Sequence, residues 1–238
     1  MISKAKLKQY KQLHSKKFRQ KYGLFVVEGL KSVNELIRSS WSYQTVLCTL
    51  DFIENLDESL DIKYELISKE DFKSLSTSKN PQEILAIAKI ENKQIKASPW
   101  TIALDDINDP GNLGTIIRIA DWYGINTIYC SEQTVDLYNN KVIQSTMGSF
   151  LRVSVVKGDL QKLLVGKTVY ASLLNGTNIR EIPKSDEGVI LIGNEANGIS
   201  DSLLEKLTYQ SVTIPGNSNT ESLNAAIATA ISCERLLG

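Results

Sequence analysis

The alternation of apolar and polar positions divides the chain into two α/β stretches. In the first, FVVEGLKSVNELIRSS starts as a short strand and continues at helical spacing. QTVLCTL and DIKYELIS have the short apolar runs of strands, and KEDFKSLS between two of the strands predicts a short helix. After Asn80-Pro81, EILAIAKI predicts a further strand. These elements make a small α/β unit of about 90 residues. The segment ENKQIKASPW is polar and shows no periodicity, so the linker is placed there, between a first domain at 1–92 and a second at 100–238.

The second stretch repeats strand and helix. TIALDDI, NTIYCSE, LRVSVVK, TVYASLL, EGVILIGNE and SVTIP predict strands. NLGTIIRIADWYG, with Gly124 near its end, predicts a helix, as do LYNNKVIQSTMG, ISDSLLEKL and the final apolar run. Near-continuous apolar strands alternating with helices predict a mostly parallel sheet covered on both faces. In such sheets ligands bind beyond the carboxyl ends of the strands. Three polar, glycine- or amide-rich loops follow strands here: NDPGNLGTIIR, IGNEANGI and the loop of IPGNSNTESLN. The last enters its helix through Ser222-Leu223-Asn224, and Ser222 is read as the N-cap.

Charge changes this picture in one respect. The chain of 238 residues has 27 basic and 27 acidic side chains, yet residues 1–27 hold seven lysines, one arginine and no acid. The arm carries Lys4, Lys6, Lys8, Lys11, Lys16, Lys17, Arg19 and Lys21, with Tyr10, Phe18 and Tyr22 interleaved. A basic arm on an acidic body points to a polyanion such as RNA, its cations meeting phosphates and its aromatics stacking on bases. The competing reading is a helix whose aromatics pack on the domain beneath it. No apolar run reaches the roughly 18 residues of a membrane span, and the N-terminus lacks the apolar core of a secretory signal. Cys48, Cys130 and Cys233 are scattered and odd in number, which suggests a reducing, cytoplasmic setting and buried thiols.

Composition also narrows the chemistry. The single histidine, His14, lies in the basic arm, so histidine-based acid–base catalysis and a Ser-His-Asp triad are disfavoured. No Cys/His spacing supports a metal. Gly193 and Gly198 have the spacing of a phosphate-binding loop, but Ile199-Ser200 follows where such a loop needs lysine and a hydroxyl. Chemistry must rest on Arg, Asn, Ser, Glu and backbone groups. Methyl transfer from an activated sulfonium suits that inventory, because the protein mainly aligns the acceptor and stabilises its developing charge.

Asn112-Leu113-Gly114-Thr115-Ile116-Ile117-Arg118, Gly193-Asn194-Glu195-Ala196-Asn197-Gly198-Ile199 and Ser222-Leu223-Asn224 together resemble the ordered motifs N-x-G-x-x-x-R, G-x-E-x-x-G-[IL] and S-L-N. These are the motifs of the SpoU (TrmH-like) RNA 2'-O-ribose methyltransferases of the SPOUT class. KYGLFVVEGLKSVNELI is similar to the substrate-binding domain preceding many of them, which is related to the L30e group. The resemblance implies a SPOUT domain with a C-terminal trefoil knot, a homodimer and S-adenosylmethionine as cofactor. It implies methylation of structured RNA, either tRNA or large-subunit rRNA. Arg118 would then engage the ribose 2'-hydroxyl or its phosphate, with Asn112, Glu195, Ser222 and Asn224 in the catalytic loops. Gly193, Ile214 and Leu223, with Ser172 or Leu173, would contact the cofactor. The family often has glycine where Ser218 stands, and Met or Ile where Gly216 stands. The alternative is a non-catalytic RNA-binding protein that keeps the fold.

Overall fold

The computed structural model describes residues 2–56, 62–78, 80–91, 98–216 and 222–237. Most of the linker segment and Ser218 lie outside these residues. Two compact units emerge: Met1–Lys93 with Asp136–Leu151, and Gln94–Val135 with Arg152–Gly238.

In the first unit the arm forms α1 (Lys4–Gln12) and α2 (Lys16–Tyr22). Then follow β1 (Leu24–Glu28), α3 (Leu30–Arg38), β2 (Tyr43–Cys48), β3 (Tyr64–Leu66), α4 (Lys69–Leu75) and β4 (Ile84–Lys89). Among the described residues the strands make a sheet in the order β1-β4-β2-β3, with β4 antiparallel to both neighbours. The two-residue period of a strand sorts their side chains between two cores. Phe25, Val27, Val46, Cys48, Ile84, Ala86 and Ala88 share one cluster. Leu24, Val26, Leu47, Leu85 and Ile87 share the other, where Tyr10 and Leu13 from the arm and Phe72 and Leu75 from α4 cover them.

The first face is closed by Val33 and Leu36 of α3 and by Ile143 and Phe150 from much later in the chain. Phe150 meets Phe25 and Trp41 edge-on, with ring centroids 5.9 and 5.5 Å apart. This is why Asp136–Leu151, read from sequence as part of the larger unit, groups with the first.

The second unit runs through β5 (Trp100–Leu104), α5 (Pro110–Trp122) and β6 (Thr127–Cys130). The excursion carrying α6 (Asn140–Thr146) intervenes before β7 (Ser154–Lys157), α7 (Leu160–Leu163), β8 (Val169–Asn178), β9 (Gly188–Ile192), α8 (Asp201–Leu204), β10 (Gln210–Thr213) and α9 (Ala225–Leu236). The described strands form a parallel sheet in the order β10-β8-β9-β5-β6-β7, as the apolar runs predict. Ala103, Val169, Ala171, Val189 and Leu191 face α7 and α8 through Leu160, Leu164 and Leu203. The alternate positions Ile102, Leu104, Ile190 and Ile192 are buried as well, and α9 packs on β9 and α5. β8 departs from a plain strand. Its pairing with β10 jumps from Ala171 to Thr177, so Ser172–Gly176 bulge outward, pinned where Ser211 Oγ donates to the Asn175 carbonyl at 2.6 Å.

Candidate active site

The three loops lie where β5, β9 and β10 end and converge on one set of hydrogen bonds. α5 starts sharply. Asp109 is the N-cap, its Oδ1 accepting from the Asn112 backbone N–H at 2.8 Å, and Pro110 follows. That fixes Asn112 in the first turn of the helix. Its Nδ2 donates to Glu195 Oε1, and its Oδ1 accepts from Asn224 Nδ2 at 2.8 Å. Asn224 Oδ1 accepts in turn from the backbone N–H groups of Ala226 and Ile227 at 3.0 and 3.3 Å. One directional chain of amides therefore joins a carboxylate on the second loop to the start of α9.

This corrects the reading of Ser222 as the cap: the cap is Asn224, whose oxygen reaches the first-turn N–H groups. Ser222 instead donates to the Glu195 carbonyl at the outer limit of a hydrogen bond, 3.5 Å. Asn112, Glu195, Ser222 and Asn224 are thus brought together.

The second loop is held by its two motif glycines together with Asn194, Asp105 and Asp106, which the motif leaves open. Asn194 and Gly198 exchange two backbone hydrogen bonds of 2.9 Å, closing a tight turn. A Cβ on Gly193 would come within 2.2 Å of the Gly198 carbonyl carbon and the Ile199 nitrogen, so only glycine fits. Asn194 Oδ1 accepts from Ala196 and Asn197, and its Nδ2 donates to the Asp106 carbonyl at 2.8 Å. Asp105, buried at the end of β5, accepts from the Ser200 N–H at 2.9 Å. The signal for both was legible as the polar run DDIND directly after an apolar strand.

Arg118 is exposed on α5, between the buried Ile117 and the half-buried Ile119. Among the described residues it has no ion-pair partner, so its charge is available to an anion. Ile214 and Leu223 line a cleft of about 540 Å³ together with Arg180 and Pro215. Ser172 and Leu173 fall in the bulge of β8 and Gly193 at the end of β9; all three are half-buried. Gly216 is exposed, and a Cβ there would meet open space.

The arm divides between core and surface. Lys4, Lys6, Lys8, Lys11, Lys16, Lys17 and Lys21 are exposed, Lys6 meeting Glu65 at 3.3 Å. Arg19 is not available to RNA, contrary to the sequence reading. It is only 3% exposed, paired with Asp136 at 2.6 Å and donating to the carbonyls of Leu13 and His14. Tyr10 is fully buried, so it packs in the core and cannot stack on a base. Phe18 and Tyr22 stack on each other at 6.0 Å.

Residues 99–234 match the model of the SpoU rRNA methylase family. The chain belongs to that family. Residues 4–86 match the MRM3-like substrate binding domain. The 23S rRNA (guanosine(2553)-2'-O)-methyltransferase RlmP of Bacillus subtilis is 32% identical, over 98% of this chain and 96% of that protein. A Porphyromonas gingivalis structure assigned to the TrmH family of RNA methyltransferases superposes with a TM-score of 0.87 at 30% identity, covering 100% of this chain and 98% of that one. The AdoMet-bound rRNA methyltransferase of Sinorhizobium meliloti superposes at 0.84 with 26% identity, covering 99% and 95%. The expected family and α/β fold class, with the substrate-binding domain in front, therefore hold for this SpoU chain.

Proposed function

We propose that this protein transfers a methyl group from S-adenosylmethionine to a ribose 2'-hydroxyl of large-subunit ribosomal RNA. The observation that carries the reading is the amide chain Glu195–Asn112–Asn224, which locks the three family loops together on α5, the helix that carries the exposed Arg118. A non-catalytic RNA binder would have no need of that arrangement. The SpoU family and the rRNA-modifying relative, similar over nearly the whole chain, support rRNA over tRNA.

Bound S-adenosylmethionine supplies a methyl group already activated on a sulfonium. Gly193, Ile214 and Leu223 would hold it, with Ser172 and Leu173. The packed turn at Gly193 and the cleft shared by Ile214 and Leu223 suit a ligand held by backbone groups and apolar contacts. Transfer would form the oxygen–methyl bond as the sulfonium–methyl bond breaks, the demethylated thioether leaving and the 2'-hydroxyl proton passing to water. Arg118 acts by clamping the neighbouring phosphate with its planar guanidinium fork and stabilising the developing alkoxide, rather than as a base. Asn112 and Asn224 position the loops.

A homodimer belongs to the same reading. α5 and α9 pack against each other and carry Trp122, 85% exposed, and Ile227, 52% exposed. So do a cytoplasmic location and the knot expected from the resemblance; no described helix is long and apolar enough to cross a membrane. Sedimentation of the 26.5 kDa chain tests the dimer. The function is tested by tritium transfer from labelled S-adenosylmethionine to deproteinised large-subunit rRNA in the presence of EDTA. Incorporation at a ribose 2'-oxygen is expected. Absence of transfer to both rRNA and tRNA would sink the proposal.

A further inference from the structure

The first compact unit contains a second cleft, of about 560 Å³, with no part in the amide chain described above. Its walls mix apolar surface with polar groups: the Glu28 carboxylate, the Lys31 ammonium and the amides of Asn34, Asn80, Gln82 and Gln144. A planar solute with an apolar face and hydrogen-bonding edges would gain from both.

Glu28 decides what kind of solute. It sits at the end of β1, 8% exposed, and among the described residues no cation pairs with it. It accepts from Ser76 Oγ at 2.5 Å, from Gln144 Nε2 at 3.3 Å and from the Thr77 N–H at 3.4 Å. The last two are long, and a carboxylate offers about four acceptor positions. A nearly buried charge so weakly matched favours a further donor.

The wall beside it is rigid. Gly29 has φ +99°, turning the chain directly into α3, and Gln82 Oε1 accepts from the Leu30 N–H at 3.0 Å. The N-cap residue Gly29 brings no capping side chain to α3, and among the described residues only the Leu30 N–H of its first turn has a side-chain acceptor. At the rim, Met147 is 46% exposed and adds a polarizable surface for a ring to lie against.

We infer that this cleft receives one unpaired guanine base of the substrate RNA, its imino–amino edge supplying that further donor to Glu28 and its flanking phosphate meeting Lys31. Bases splayed from RNA loops are read in this way, edge by hydrogen bond and face by stacking. The inference rests on the proposed RNA methylation, and the test keeps the two apart.

In the first arm, the full chain is titrated with each of the four ribonucleoside 5'-monophosphates and backbone amide shifts are followed by NMR. GMP is expected to move Lys31, Ser32, Gln144 and Met147 at about tenfold lower concentration than CMP or UMP. No shift at these residues with millimolar GMP, or equal shifts with all four, overturns the assignment. In the second arm, Lys31→Ala and Gln144→Ala are assayed with deproteinised large-subunit rRNA. Each is expected to raise KM for RNA about tenfold with kcat and cofactor affinity unchanged, and only Gln144→Ala, which strips a hydrogen bond from Glu28, to lower the melting temperature. Unchanged KM in both, with an active wild type, overturns the inference and leaves the methyltransferase reading standing. A wild type inactive on every RNA refutes that reading, and the GMP titration then decides the cleft on its own.

Discussion

Asn112 and Glu195, 83 positions apart in the chain, are joined directly through Asn112 Nδ2, while Asn112 Oδ1 holds Asn224. The orientation of one amide thus sets the relation of three loops. Asn112→Asp replaces the donor with a carboxylate facing Glu195, and Asn112→Ala removes the link. Hydrogen bonds to charged groups contribute about 1.5–3 kcal/mol, so a loss of about 10–100-fold in kcat/KM is expected, larger for Asp than for Ala because like charges then oppose. Steady-state kinetics checks the order. Equal activity in Asn112→Ala and wild type would show that the amide chain has no role in turnover.

Arg118→Ala should lower methyl transfer by about 10²–10³-fold, the usual effect of losing one preorganised electrostatic group. Cofactor affinity, measured by calorimetry, should stay within a few-fold, because the proposed partner of Arg118 is the acceptor. Arg118→Lys should recover only part of the rate, since lysine lacks the planar fork.

Gly193 and Gly198 bound the same loop but should respond differently. Gly193→Ala drives a Cβ into backbone atoms 2.2 Å away that cannot move without opening the Asn194–Gly198 turn. It should abolish cofactor binding and lower the melting temperature. Gly198→Ala meets open space and suffers only its φ of +70°, a strain of about 1–2 kcal/mol. Calorimetric titration of both variants separates the two cases.

The secondary structure and the loops were legible because their signals are local. The run TIALDDI, the helix of NLGTIIRIADWYG and the VILI strand each state their element within a few residues. Partners distant in sequence were not legible. Nothing in LYNNKVIQSTMG shows that Phe150 beyond it will meet Trp41, or that Asp136 will neutralise Arg19. Ser222 and Asn224 are both good caps by type, and only the link to Asn112 shows why the helix starts after Asn224. The bulge in β8 was hidden because TVYASLL reads as one mostly apolar strand, and the register jump is set by β10, some 40 residues later.

The arm's two roles can be separated by substitution. Replacing Lys4, Lys8, Lys11, Lys16, Lys17 and Lys21 by Gln should leave the melting temperature unchanged and weaken RNA binding. If three of them meet phosphates, the slope of log affinity against log salt should flatten by roughly two units. Arg19→Ala should do the reverse, destabilising by about 3–5 kcal/mol by leaving Asp136 and two carbonyls without their donor. A flat salt slope already present in the wild type would remove the arm from RNA binding.

The thiols should be silent in the folded protein. Cys48, Cys130 and Cys233 are buried, and burial pushes them up to about 11, 12 and 12 respectively. At pH 8 a thiol-specific reagent should therefore label them only as fast as the protein opens. Rapid labelling of any one under native conditions would contradict its burial.

The return of Asp136–Leu151 to the first unit also sets an order of events during synthesis. A nascent chain reaching residue 93 has made every strand of the first sheet but leaves one face only partly covered, by α3 and Trp41, because Ile143 and Phe150 have not yet been translated. Folding of the N-terminal unit must then wait for the first strands of the next one, and a fragment cut at the apparent boundary should emerge sticky and prone to aggregate. The first unit is therefore complete only once part of the second has been made.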